Sequence, residues 1–543
     1  MLYEMLAGHR AFNGQTASAT VSAVLTSEPD WRSLPSSTPP SITALLRRCL
    51  AKEPEKRLSH VTAAKEILAN SLVGSIDETA ATSAPSVAVL PFISISGDAE
   101  NQYFCDGLSE ELINALTRIP DLKVACRTSA FRFRGVDQDV RRIGDELGVS
   151  SIVEGSVRRA GPRLRVAVQL IDVNEGYERW SERYDRQMAD VFDIQDDIVS
   201  SVVAALVPAL RSRHRVHRAT DNLRAYEIYL KGLHFLHQRS PSTLQVAIQS
   251  FEQAIALDPE YVLAFTGLAD CYTLLCGYGV ASPDEVGPRA SAAIDRALLL
   301  NPSLPEVHFS RGLFTMYLGR EWRTAEPHFR AAVAGNERSS LAQAYMGLFL
   351  AAAGRQTEAA AYIERATLLD PFSPIIHGLA AIAWYVADHA QMAAEMARRA
   401  LDLQPGYLLG LWTLALIDYR LGDIDSGLAK AEQVVKLSGA PFFVAVLGLG
   451  YGLAGRSDDA ARLLSDLYER LRRGEYVPPV ALLAIHAGLQ DLVEIRRDLR
   501  AFGEAACGAP TLLYTCASYL RDIAQSDPEV AQLFDLVMGA DAE

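Results

Sequence analysis

The chain is poor in the features that mark secreted, membrane-spanning and nucleic-acid-binding proteins. Its 543 residues include seven cysteines, odd in number and scattered, which fits a reduced compartment better than a disulfide framework. No stretch reaches 18 apolar residues. The longest candidate, Ile198 to Leu210, is too short for a bilayer and reads as a buried helix face. Lys and Arg number 52 against 66 Asp and Glu, a net charge of −14, which argues against general binding to nucleic acid or anionic membrane. Met1 is followed by a mixed apolar and charged run with no basic head, so no secretory signal is visible. These absences predict a cytoplasmic chain with no membrane span and no nucleic-acid partner.

Recognisable chemistry is also scarce. No Ser–His–Asp set and no H-E-x-x-H motif is found. Cys271 and Cys276 have no second pair to complete a metal site, so they read as core, as do His234 and His237. The scattered Gly-x-Gly pairs, such as Gly448–Gly450, lie in helical sequence and not in a phosphate loop. The basic run Arg211–Arg218 reads as a solvated linker in so acidic a chain. No catalytic, cofactor-binding or metal site is expected.

What the chain does have is globular texture, with 49% hydrophobic and 22% charged residues, and enough length for three or four domains of about 150 residues. Residues 1–73 are helical with Pro-rich breaks. Residues 74–85, "GSIDETAATSAP", are small, polar and aperiodic, and read as a linker. Residues 86–218 mix strands and helices. Residues 219–473 are Ala- and Leu-rich helix with evenly spaced turns, and residues 474–543 continue as helices of poorer pattern, a C-terminal cap or a degenerate further unit.

The turns carry the period. "LDPEY", "LNPSL", "LDPFS" and "LQPGY" place prolines at 259, 302, 371 and 405, the last two 34 residues apart. In the unit starting at Ser340, the small residues Gly347, Ala359 and Ala366 precede Pro371. In the unit starting at Pro374, Ala381, Ala393 and Ala400 precede Pro405 at matching positions. Small side chains there let two antiparallel helices approach. About seven units start near Ala225, Val262, Pro305, Ser340, Pro374, Leu408 and Pro441. This pattern resembles the tetratricopeptide repeat. The resemblance implies a superhelix whose concave groove takes a partner peptide or protein. In the unit at Pro374, the second, fifth, ninth and twelfth positions make Ile375, Gly378, Ile382 and Tyr385 the candidate groove residues.

In the middle region, "SVAVLPF" reads as a buried strand and "GLSEELINALTRI" as a helix with Ser109 able to cap it. "LKVACRTS" reads as a second strand, and "DVRRIGDELGV" as a helix closed by Gly148. Alternation on both sides of Gly161-Pro162 predicts a hairpin, followed by a strand around Gly176–Tyr184 and an exit helix from Val191. The order predicts an α+β sheet packed by helices on one face. Asp106, Glu110, Glu111, Asp145 and Glu154 read mainly as solvated helix faces, and Arg158, Arg159, Arg163 and Arg165 as an exposed charged edge. The blocks "YFCDGLSEELINAL", "VACRTSAFRFRG" and "IGDELGVSSIVEGSVRRAG" resemble the TolB-like domain found ahead of tetratricopeptide arrays in bacterial signalling proteins. That resemblance implies a fold and its company, not a chemistry.

"LYEMLAGHRAFNG" and "ITALLRRCLAKEPEKRLS" resemble the end of the carboxyl lobe of a bacterial serine/threonine protein kinase, over residues 1 to about 70. The Gly-rich loop, the ATP-binding Lys, the H-R-D-type loop and the D-F-G Asp of that family do not occur in this chain. ATP and Mg²⁺ are therefore expected only if a further amino-terminal part exists. Arg57 matches a structural position of the family, and its glutamate partner is missing, so it is expected to be unpaired and exposed. A misassigned start is the favoured explanation of so abrupt an opening. Leu2, Met5, Leu6 and Phe12 are expected to be part-exposed or to pack by default.

The fold class expected is thus a helical kinase-lobe remnant, an α+β domain and an all-α superhelix. The function expected is a signalling-associated interaction scaffold, inactive as a kinase as written. The alternatives are the carboxyl-terminal portion of a serine/threonine kinase and, more weakly, a regulator linked to nucleotide-cyclase signalling.

Overall fold

A computed structural model of the chain describes residues 2–12, 29–35, 38, 40–50, 85–95, 99–119, 121–135, 139–207, 219–319, 322–504 and 516–538. Two compact units result, Met1–Ser83 and Ala84–Glu543. Arg57, the linker 74–84 and the basic run 211–218 lie outside the described residues.

The first unit holds α1 (Leu2–Ala7) and α2 (Pro40–Cys49). Tyr3 is buried against Ile42 and Leu46, and its hydroxyl donates to the Asp30 carbonyl at 2.7 Å. Arg47 stacks over Trp31 at 4.8 Å. So small a core leaves Met5 77% exposed.

The second unit begins with a six-stranded sheet in the order β3-β1-β4-β5-β6, with β2 also on β4. Its strands are β1 (Ser86–Val89), β2 (Ile93–Ser94), β3 (Lys123–Val124), β4 (Ser151–Ala160), β5 (Arg163–Asp172) and β6 (Glu178–Gln187). β1 pairs in parallel with β3 and β4, and β4, β5 and β6 run antiparallel. The helices are α3 (Ala99–Thr117), α4 (Arg127–Phe131), α5 (Val140–Leu147) and α6 (Val191–Leu206).

Helices cover both faces of this sheet, not one. The pleat sends Val87 and Val89 to the side of α3 and α6, together with Leu164, Val166, Val168 and Leu170 of β5. It sends Ala88 to the opposite side with Ile152, Ala130 of α4 and Ile143 of α5. Parallel β1 is thus covered on both faces, which its unbroken apolar run permits. Two further expectations are corrected. β3 is only two residues long, and "RTS" starts α4. Ser109 is no cap: α3 begins ten residues earlier and Ser109 is fully buried inside it. Pro91 breaks the ladder after β1, and Ser109 Oγ accepts the stranded Phe92 N–H at 2.9 Å while donating to the Cys105 carbonyl.

Among the described residues, nine helix pairs follow. They are α7 (Leu223–Gln238) with α8 (Pro241–Leu257), α9 (Val262–Gly277) with α10 (Pro283–Leu300), and α11 (Pro305–Leu318) with α12 (Glu326–Gly335). Next come α13 (Ser340–Ala352) with α14 (Gln356–Leu369), α15 (Pro374–Val386) with α16 (Ala390–Leu403), and α17 (Leu408–Arg420) with α18 (Ile424–Leu437). The last are α19 (Pro441–Leu453) with α20 (Ser457–Arg472), α21 (Pro479–Leu489) with α22 (Leu492–Glu504), and α23 (Ala517–Ala524) with α24 (Pro528–Met538). This is a tetratricopeptide-type array. Pro241, Pro283, Pro305, Pro374, Pro441 and Pro479 open their helices, where a missing N–H costs nothing. Gly354, Gly422 and Gly455 turn between paired helices with φ of 78°, 83° and 71°, values that disfavour a side chain. α19 and α21 cross backbone to backbone: a β-carbon on Gly452 would stand 2.4 Å from the Gly488 carbonyl carbon.

Candidate functional site: the cleft between the α+β domain and the repeats

The α+β domain does not stand apart from the repeats. α3 lies along α7, the first repeat helix. A β-carbon at Gly107 would stand 2.5 Å from the Leu230 side chain, so the helices approach closely only because position 107 has none. The Tyr103 ring sits 4.6 Å from that of His234. Asp106 lies 3.4 Å from His234 and 2.6 Å from Arg134. Glu110 lies 2.9 Å from His237 and 2.8 Å from Arg127.

These acids are not solvated faces. Asp106 is 3% and Glu110 9% exposed. Burial alone would raise the Glu110 carboxyl, but His237 and Arg127 outweigh it and hold the group at about 2. Burial and the Arg127 charge push His237 down, so the neutral ring donates from Nε2 to the carboxylate. His234, half-buried, and His237, exposed on its outer side, are therefore docking residues and not the core residues expected. The sequence signal available was their three-residue spacing on one helix face, matched by Asp106 and Glu110 four apart on another.

Further contacts extend the interface along the array. Ser129 of α4 donates to Asp370 in the turn before α15. The Arg338 guanidinium donates to the Leu122 carbonyl, and Arg132 stacks over Phe372 at 5.0 Å. Arg159 of the hairpin pairs with Glu227 of α7 at 2.7 Å, and Gln195 of α6 donates to the Tyr226 hydroxyl at 2.6 Å. All four arginines surround the hairpin tip: Arg163 and Arg165 of β5 lie between β4 and β6, whereas the strand pairings of Arg158 and Arg159 among the described residues are to β5 alone, the pairing of β4 with β2 ending at Val157. Asp145 is exposed, and Glu154 accepts from Gln169 at 3.0 Å.

Between α3 and the inner faces of α7, α9 and α11 lies a cavity of about 580 Å³. Glu110, Glu111 and Arg118 line it from the α+β side, and Tyr229, Asp270 and Glu306 from the repeats. Asn114 and Arg118, both exposed, mark its mouth. Burial, with the Glu110 charge beside it, raises Glu111 to about 7. Burial raises Asp270 to about 7 as well. The cavity joins residues of two domains, which is why no local motif announced it.

The groove residues expected in the unit at Pro374 are placed otherwise. Gly378 and Ile382 are buried, Ile375 is half-buried, and Tyr385 is 8% exposed. A β-carbon on Gly378 would stand 2.8 Å from the Tyr407 ring, and Tyr385 lies beside Ser518 of α23. The cause is composition: α15, "PIIHGLAAIAWYV", is apolar all round, and such a helix is buried all round. The inner surface at this unit is packed, not an open groove. Cys271 and Cys276 are buried.

No protein-family model matches the chain. A curated relative from Rhizobium meliloti, described as a putative adenylate cyclase 3, is 32% identical over 241 residues, covering 44% of this chain and 41% of the relative. The transcriptional regulator HilA of Salmonella typhimurium is 22% identical over 292 residues, 53% of this chain and 51% of that protein. The chain therefore spans about half the length, or less, of these curated relatives. Among solved structures, YrrB, a TPR protein with an unusual peptide-binding site, shares 22% identity over 34% of this chain and 90% of its own, with a TM-score of 0.23.

Proposed function

We propose that residues 84–543 form the interaction and relay module of a signalling protein, with the repeat array as scaffold and the α+β domain seated on it as its regulator. The observation that carries this reading is the docking of α3 along α7 through Glu110, His237 and Arg127. A tetratricopeptide array offers its inner helices to partner segments. Here the first units meet a domain of the same chain, so a protein or peptide partner competes with that domain for the surface.

A second reading concerns what the module regulates. The relative named as an adenylate cyclase favours a link to nucleotide-cyclase signalling. The kinase-like blocks in residues 1–73 favour a phosphotransfer effector. Both readings keep the module and differ in the effector attached to it.

The test is selection of a displayed peptide library on the full chain and on Glu110→Lys, which sets a cation against Arg127 and releases the docked domain. The expected result is peptides retained at least tenfold better by the variant. If neither protein retains peptides above background, the reading fails.

A further inference from the structure

The cavity between α3 and the repeats is lined by more carboxylates, Glu110, Glu111, Asp270 and Glu306, than guanidinium groups, Arg118 and Arg239. Glu110 is satisfied by Arg127 and His237. The other acids are met only in part: Arg118 pairs with Glu306 at 3.9 Å, and the Arg239 charge acts on Asp270. Asp270 Oδ1 and Glu306 Oε2 are buried with no hydrogen-bond partner among the described residues. The nearest cation to Glu306 is held 3.9 Å away on Arg118, at the exposed mouth. Arg239 is turned to the Tyr345 hydroxyl at 3.1 Å, and burial keeps His237 from supplying a charge. A buried carboxylate oxygen without a partner costs on the order of 1–3 kcal/mol, so something that donates is favoured there.

We propose that this cavity is a binding site for a small organic cation, an aliphatic amine, held between the α+β domain and the repeats. The volume of about 580 Å³ lies within the range of small-molecule pockets. Leu233, Leu263 and Phe309 give it an apolar wall for a methylene chain, and Tyr229 adds a ring. The excess of carboxylates over guanidinium groups disfavours an anion. A bare metal ion is a poor fit, because these acids do not converge on one point. Among the described residues, the group whose ligand atoms come within one ion's reach is His486, Glu494 and Asp498, elsewhere in the fold, and there Arg497 already supplies the cation.

An ammonium group beside Glu111 or beside Asp270 favours that acid's ionised form, both acids being otherwise raised to about 7 by burial. Binding therefore releases protons near pH 7 and weakens as the pH falls below it. The ligand bridges two domains, so occupancy strengthens their docking by mass action. This inference rests on the docked arrangement above.

The experiment is isothermal titration of the full chain with 1,4-diaminobutane, with 1,4-butanediol as the uncharged control, at pH 7.5 and pH 6. The diamine is expected to bind and the diol not. Asp270→Asn and Glu111→Gln should each weaken the diamine at least tenfold, affinity should fall at pH 6, and Asp145→Asn on an exposed helix face should change nothing. Equal binding of diol and diamine, no diamine binding at all, or full affinity in both variants overturns the proposal. The peptide selection on Glu110→Lys reads the docked domain without the diamine, so failure of the cation site is told apart from failure of the module.

Discussion

His237 Nε2 stands 2.9 Å from Glu110 Oε1, joining the first repeat helix to a helix of the α+β domain 127 residues earlier. Arg127 completes the set at 2.8 Å. Removing one member of a buried ionic set leaves the rest uncompensated. Glu110→Gln is expected to lower stability by about 3 kcal/mol, whereas Asp145→Asn on an exposed helix face should stay within about 0.5 kcal/mol. Thermal melts of the two variants beside the parent chain check this.

Acid titration separates Glu110 from its neighbour. Glu110 is held at about 2, below its ordinary 4.5. Its contribution is fully present above 4.5 and is lost as the pH falls toward 2. Glu111 is raised to about 7, so its contribution is present below 4.5 and lost as the pH rises through 7. Urea midpoints across this range should show Glu110→Gln flattening the acid limb and Glu111→Gln flattening the fall between 4.5 and 7.

Where α19 and α21 cross, Gly452 and Gly488 leave no room for a side chain. A β-carbon on Gly488 would stand 2.6 Å from the Leu449 carbonyl oxygen. Backbone cannot give way as a flexible side chain can. Gly488→Ala is expected to cost about 1–3 kcal/mol, against no loss for Gly439→Ala, where a β-carbon meets nothing within 4 Å. Differential scanning calorimetry distinguishes the two.

Gln490 ends α21 with φ of 57°, a left-handed conformation that a side chain disfavours, and it is exposed. Gln490→Gly is expected to stabilise the chain by about 0.5–1 kcal/mol, read as a rise in Tm. An unchanged or lower Tm counts against the strain at this cap.

Much of the repeat array could be read from the chain because its signals are local. Pro374 and Pro441 begin helices, and Gly148 closes one, at positions set by each residue's own backbone chemistry. The interface was illegible for the opposite reason. Ser129 and Asp370 meet across 241 residues, and nothing near either announces the other. Helices on both sheet faces were missed because α4 is only five residues long and follows a strand of two. At α15, repeat position alone does not show that Tyr407 lies over Gly378.

The most direct test of the seated α+β domain is a double-mutant cycle on Ser129→Ala and Asp370→Asn, which couple only if the domain is docked on the array. The docked arrangement predicts a coupling energy of about 1 kcal/mol. Additivity within about 0.3 kcal/mol would contradict it.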